Sequence, residues 1–152
     1  MQGLGLNYRL TDIQAVLGAS QLKKLPEFIK RRQIIVRRYE KELSEIEGIL
    51  LPKEFPGGHS AWHLYPLRLK GKFAGRRKEI FEKLRTAGIG VQVHYIPVYW
   101  HPFYRSLGFK RGLCPKAENF YRAEISLPVF PGLKIREQKF VVSTLKKILR
   151  EG

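Results

Sequence analysis

Four histidines, His59, His63, His94 and His101, and a single cysteine, Cys114, are the side chains of this 152-residue chain best suited to metal or nucleophile chemistry. Their spacing points away from both. His59 and His63 stand four apart, but a glycine-rich loop and a strand pattern surround them, so they do not share a helix face. No HExxH pattern occurs, and no set has the spacing of a zinc site. One cysteine can form neither an internal disulfide nor a multi-thiolate site, and its usual place is a buried one. No GxSxG elbow marks a serine nucleophile. "GLG" at residues 3–5 lacks the third glycine and the preceding strand of a dinucleotide loop. The spacing therefore points to no metal site, and no motif singles out a catalytic residue, while a Ser–His–Asp set assembled by the fold stays open.

Two stretches do invite chemistry. "NYR", residues 7–9, stands directly before a capped helix, where Asn7 and Arg9 are placed to hold a phosphate or carboxylate, or simply to order a surface turn. "HYIPVYWHP", residues 94–102, crowds polar-tipped aromatics into a loop at a strand end. Such a loop carries function, or covers a small aromatic core.

The elements that must position these stretches follow from pattern. "TDIQ" at 11–14 is a capping box, and the helix it starts runs to about Leu25. Pro26 suits the first turn of a second helix, about 26–47, with Phe28, Ile35, Tyr39, Leu43 and Ile46 on one stripe and Gly48 as its stop. A Pro/Gly loop at 52–60 leads into a strand over about 61–70, in which Pro66 requires an edge position or a bulge. A helix over 74–87 ends at Gly88, and a second strand covers 90–97. After the aromatic loop come a short helix from Cys114, a short extended "ISLPVFP", and a last helix over about 135–150. The order predicts an α+β fold with a small sheet covered by helices.

Composition sets the outer bounds. The chain is 43% hydrophobic and long enough for one domain with a real core. No apolar run reaches membrane-spanning length and the first residues lack a signal-peptide core, so the expectation is a cytoplasmic protein. The net charge of +16 attracts polyanions, and leaves open a basic interaction or nucleic-acid-binding module without catalysis.

Taken together, "GLNYRLTDIQAVLGASQLKKL", "RRQIIVRRY", "WHLYPLRL", "GIGVQVHYIPV", "CPKAE" and "ISLPVFPGL" resemble the C-terminal part of the DegT/DnrJ/EryC1/StrS family. These are pyridoxal-phosphate-dependent sugar aminotransferases of fold type I, and the likeness leans to the spore-coat-polysaccharide and pseudaminic-acid types. The resemblance implies the family's small C-terminal domain, with a short, mainly antiparallel sheet packed with helices. It implies that residues 1–25 are a connecting segment and helix bordering the active site, that 26–152 are the small domain, and that the cofactor-binding large domain is absent. It implies that Asn7 reaches the cofactor phosphate of a neighbouring subunit, that Arg9 stands at the substrate entrance, and that His94 and Tyr95 line a nucleotide-sugar pocket. Tyr99 stands where the family often has a second histidine, and that role is not transferred to His101. No lysine here matches the Schiff-base position. The resemblance thus implies a transaminase of nucleotide-linked keto-sugars, with glutamate as amino donor, of which this chain alone is inactive and binds no cofactor. The expected partners are a second copy or a separate cofactor-domain chain.

Overall fold

A computed structural model of the protein describes residues 8–151. Helix α1 spans Asp12–Leu22 and α2 spans Leu25–Leu43. Strand β1 is Ile49–Leu50 and β2 is Tyr65–Leu69, followed by α3 at Arg77–Thr86. The aromatic loop holds the short α4, Pro102–Ser106; then come α5 (Pro115–Ala123), β3 (Glu124–Leu127) and α6 (Ile135–Arg150). The three strands form one antiparallel sheet in the order β1-β2-β3. The expected α+β class is the observed one.

One face of the sheet meets the helices. Tyr65, Leu67 and Leu69 alternate inward along β2, and their cross-strand neighbours Leu127 and Ile125 join them. Onto this face pack Ile35, Val36, Tyr39 and Leu43 of α2, Ile80 and Leu84 of α3, and Val141, Leu145 and Leu149 of α6. The Tyr39 and Tyr65 rings lie 4.9 Å apart. The Tyr39 hydroxyl donates to the Pro128 carbonyl at 2.9 Å, tying α2 to the segment after β3. Burial pushes the ionisation of this phenol upward. The basic residues Lys30, Arg31, Arg37 and Lys41 stay on the outer side of α2, as an amphipathic helix requires.

The other face is polar. Pro66 faces Ser126 and Arg68 faces Glu124 in register, and the Arg68 guanidinium lies 5.7 Å from the centre of the Phe120 ring of α5. Pro66 sits in the middle strand, yet its missing N–H costs nothing. Ser126 gives its own N–H and carbonyl to Gln92, at 2.8 and 3.3 Å, so Pro66 and Ser126 form a pair without mutual hydrogen bonds. On its other side β1 reaches only Arg68 and Leu69. The proline is locally at an edge, as its chemistry demands.

Several expected boundaries move. Helix α2 ends at Leu43, four residues early: the Ser44 N–H closes the last turn on Glu40, and Gly48, at φ +87°, turns the chain into β1. A Cβ at Gly48 would strike the Phe73 ring. Strand β1 has two residues, too few to show alternation in a sequence. The strand expected over 61–70 starts only at Tyr65, because Trp62 takes φ +46° and packs inward against the Tyr65 ring at 6.1 Å. The strand expected over 90–97 shrinks to a single bridge, Gln92 with Ser126. Beyond it the His94 N–H turns to the Glu124 carboxylate, so no further ladder forms.

Helix α1 differs from the rest. Its capping box forms as expected, with the Gln14 N–H on Thr11 Oγ1 at 3.3 Å and the Thr11 N–H on Gln14 Oε1 at 3.0 Å. None of its residues is buried, and Ile13, Val16 and Leu17 are 83%, 70% and 61% exposed.

Candidate functional site

The polar face of the sheet carries the chain's most organised polar group. Glu124 begins β3 and Ser126 follows two residues on, so both side chains leave the strand on one face. Both are buried. The bridge at Gln92 brings the chain back alongside β3, and two residues later His94 meets them. The His94 backbone N–H donates to Glu124 Oε2 at 2.7 Å, and His94 Nδ1 lies 2.8 Å from Ser126 Oγ. The Ser126 hydroxyl donates to Glu124 Oε1. Burial raises the Glu124 carboxyl above its ordinary range; the Ser126 hydroxyl, the His94 N–H and the charges of His94 and Arg77 pull the other way. The Tyr95 ring meets the His94 ring edge-on at 4.6 Å and is largely exposed, and the peptide joining them is cis.

A second organised group pins the aromatic loop. Glu118 of α5 is buried and accepts from the Tyr99 hydroxyl at 2.7 Å, from the Gly112 N–H, and from Arg122 at 3.2 Å. The Tyr99 hydroxyl, the largest influence, holds this carboxyl below its usual range. The same hydroxyl accepts the Cys114 N–H at 3.2 Å. Tyr99 is thus committed to anchoring the loop, which accounts for a tyrosine at that position. Trp100 lies under the Arg111 and Arg122 guanidiniums, at 4.5 and 5.8 Å from its ring centre, and edge-on to Tyr121 at 5.5 Å. Beside it opens a cleft of about 600 Å³ lined by Tyr99, Trp100, Arg105, Phe109, Lys110 and Arg111. Cations over aromatic faces suit a planar or anionic ligand. The loop therefore holds a small aromatic cluster and a basic cleft together.

The other expected site residues are placed as follows. Asn7 lies outside the described residues. Arg9 is exposed immediately before the capped start of α1. His59, His63 and His101 are exposed and scattered, and among the described residues no three His, Cys, Asp or Glu side chains group as a metal site. Cys114 is exposed, against the expectation of a buried thiol, because it stands just outside the first turn of α5, before Pro115. Glu124, Ser126 and Glu118 belong to the candidate site by their contacts, and the sequence analysis did not single them out. The available signal was two polar residues at i and i+2 in an otherwise apolar strand.

Comparison with known proteins gives one consistent answer. The profile of the DegT/DnrJ/EryC1/StrS aminotransferase family matches residues 1–146. A UDP-4-amino-4,6-dideoxy-N-acetyl-beta-L-altrosamine transaminase of Campylobacter jejuni is 41% identical over 151 residues, 99% of this chain and 40% of that protein. The spore coat polysaccharide biosynthesis protein SpsC of Bacillus subtilis is 36% identical over 96% of this chain and 38% of its own length. Among solved structures, Helicobacter pylori PseC, an aminotransferase involved in the biosynthesis of pseudoaminic acid, superimposes with a TM-score of 0.87 at 33% identity, over 99% of this chain and 40% of that one. The chain spans about two fifths of the length of these relatives, in their C-terminal part.

Proposed function

Because the chain belongs to the DegT/DnrJ/EryC1/StrS aminotransferase family, we propose that it serves as the small C-terminal domain, with its leading helix, of a transaminase of nucleotide-linked keto-sugars. The pathway is surface-polysaccharide biosynthesis in the cytoplasm, and glutamate is the amino donor. The observation that carries this reading is the family match across almost the whole chain. In this reading residues 1–25 border the active site and 26–152 form the small domain. Asn7 reaches a neighbouring subunit's cofactor phosphate, Arg9 guards the substrate entrance, and His94 and Tyr95 face the nucleotide-sugar.

The family's enzymes depend on pyridoxal phosphate, which when bound supplies the electron sink for moving an amino group. The described residues do not fit the covalent attachment of that group. A lysine becomes a ready nucleophile in a desolvated pocket or beside another cation. Every described lysine is exposed except the half-buried Lys146, which pairs with Glu42 at 3.4 Å. This chain's part is to bind and orient: the aromatic loop and its arginines hold the anionic sugar carrier, and His94 meets the substrate from the polar face of the sheet.

Two predictions separate the pieces of this proposal. Incubation with pyridoxal phosphate, borohydride reduction and peptide mapping is expected to label surface lysines without preference. One dominant, saturable lysine would mean that the chain builds its own cofactor site. Amination of a UDP-linked 4-keto-sugar is expected only when a cofactor-binding domain of the family is supplied, in a dimer or larger assembly. Turnover by this chain alone would overturn its assignment as an inactive part.

A further inference from the structure

We infer that Glu124 and Ser126 are positioning residues that lock His94 in the tautomer with its proton on Nδ1, so that Nε2 is presented as a hydrogen-bond acceptor. An ionised carboxylate only accepts. Glu124 accepts the His94 backbone N–H on Oε2, leaving Oε1 for Ser126. The Ser126 hydroxyl has one proton, and it goes to Glu124. What remains on Ser126 Oγ toward His94, at 2.8 Å, is a lone pair. Nδ1 must then carry the hydrogen, and the neutral imidazole has none left for Nε2.

Three features make this more than one contact. Glu124 and Ser126 are both buried, so no competing water is needed to satisfy them. Glu124 holds the backbone of His94 directly and its ring through Ser126, which fixes both where the imidazole sits and which way it faces. Nε2 has no partner among the described residues, and it is not among their buried unpaired atoms, so it stands open to a ligand. If His94 faces substrate, as the proposed function has it, the ligand group that meets Nε2 of the neutral imidazole is a hydrogen-bond donor, a hydroxyl or an imide N–H.

The lock also predicts its own reversal. In Glu124→Gln the new amide has one oxygen and one NH2 group. Only the oxygen can serve the His94 N–H, so the NH2 group must turn to Ser126. Ser126 then accepts from it and passes its own proton to His94 Nδ1, which moves the imidazole proton to Nε2. In Ser126→Ala an Nδ1–H faces a methyl group, and the proton again moves to Nε2. Ser126→Thr keeps the hydroxyl.

The test is two-bond proton–nitrogen correlation of 15N-labelled imidazoles in the whole chain near neutral pH, with backbone amide spectra as the check on folding. Expected are an Nδ1–H signature for His94 in the parent and in Ser126→Thr, and an Nε2–H signature in Ser126→Ala and Glu124→Gln. An Nε2–H parent, or a Glu124→Gln protein that folds and keeps the parent's tautomer, overturns the lock. If Glu124→Gln does not fold, the parent and the two Ser126 variants decide it alone. The readout needs no ligand or turnover. A wrong tautomer defeats the lock and leaves the aminotransferase reading standing, and failure of that reading leaves the tautomer result intact.

Discussion

Helices α1 and α6 are both rich in apolar side chains, and the structure treats them in opposite ways. Helix α6 buries Gln138, Val141, Val142, Leu145, Ile148 and Leu149 along one stripe against α2 and α3. Helix α1 buries nothing, although Ile13, Val16 and Leu17 occupy comparable i, i+3 and i+4 positions. Its local instructions are complete, from capping box to length, and its tertiary contacts are not. A stable short helix normally draws most of its stability from the face it buries. α1 is thus specified by its sequence, without a buried face among the described residues. That fits a helix bordering an active site made with another domain.

The sharpest test of this contrast is a pair of truncations. Leu145→Ala, at a fully buried site, is expected to cost about 2–5 kcal/mol in urea unfolding, from lost transfer energy plus the cavity. Leu17→Ala is expected to fall within about 0.5 kcal/mol. A comparable cost at Leu17 would mean that α1 is docked in solution, and the contrast would break. Next in size is Gly48→Ala, where a left-handed backbone and the Phe73 ring both oppose a side chain. A loss of about 1–3 kcal/mol is expected there, read by the same unfolding curve. Thr11→Ala removes a cap worth about 1 kcal/mol, but only to α1. Amide chemical shifts should show α1 fraying while the global unfolding midpoint stays put. If the midpoint moves as well, the helix is coupled to the core.

The smallest effects concern charge, and they again oppose an exposed group to a buried one. Glu79 on α3 is held down to about 2 by Arg76 and Lys83, from an ordinary value of 4.5. Its contribution is therefore complete above that value and is lost as pH falls toward 2. Glu124 runs the other way, because burial raises its carboxyl. Its contribution is complete below 4.5 and is lost as pH rises through the raised value. Stability measured against pH should lose its acid-side fall in part in Glu79→Gln, and its decline above the ordinary carboxyl range in part in Glu124→Gln. A Glu124→Gln profile that parallels the parent would show that this carboxylate carries no folding cost.

Much of the fold was legible because it is written locally. Thr11 and Gln14 state a helix start, the stripe from Ile35 to Leu43 states a buried face, and Gly88 states a stop. Pro66 demanded a missing partner and received one. The unread parts depend on contacts distant in sequence. β1 exists because Ile49 and Leu50 find Leu69 and Arg68, and two residues carry no period of their own. Residues 90–97 have strand composition, but His94 finds Glu124, thirty positions on, before a ladder can extend. The same separation hid the site. His94 and Tyr95 stood out by type, whereas Glu124 in "RAEISLP" reads as the last residue of a helix until the fold sets its carboxylate on the His94 N–H.

The placement of the two tryptophans has a practical side. Trp62 is sealed in the core beside Tyr65, while Trp100 sits in the aromatic loop under two arginines. Their fluorescence should differ in colour and in access to quenchers, since one senses a dry interior and the other a charged, half-open surface. The chain thus carries a reporter for its core and a separate one for its loop. With Trp62→Phe, the remaining emission would follow the loop alone and register a ligand's arrival without any label.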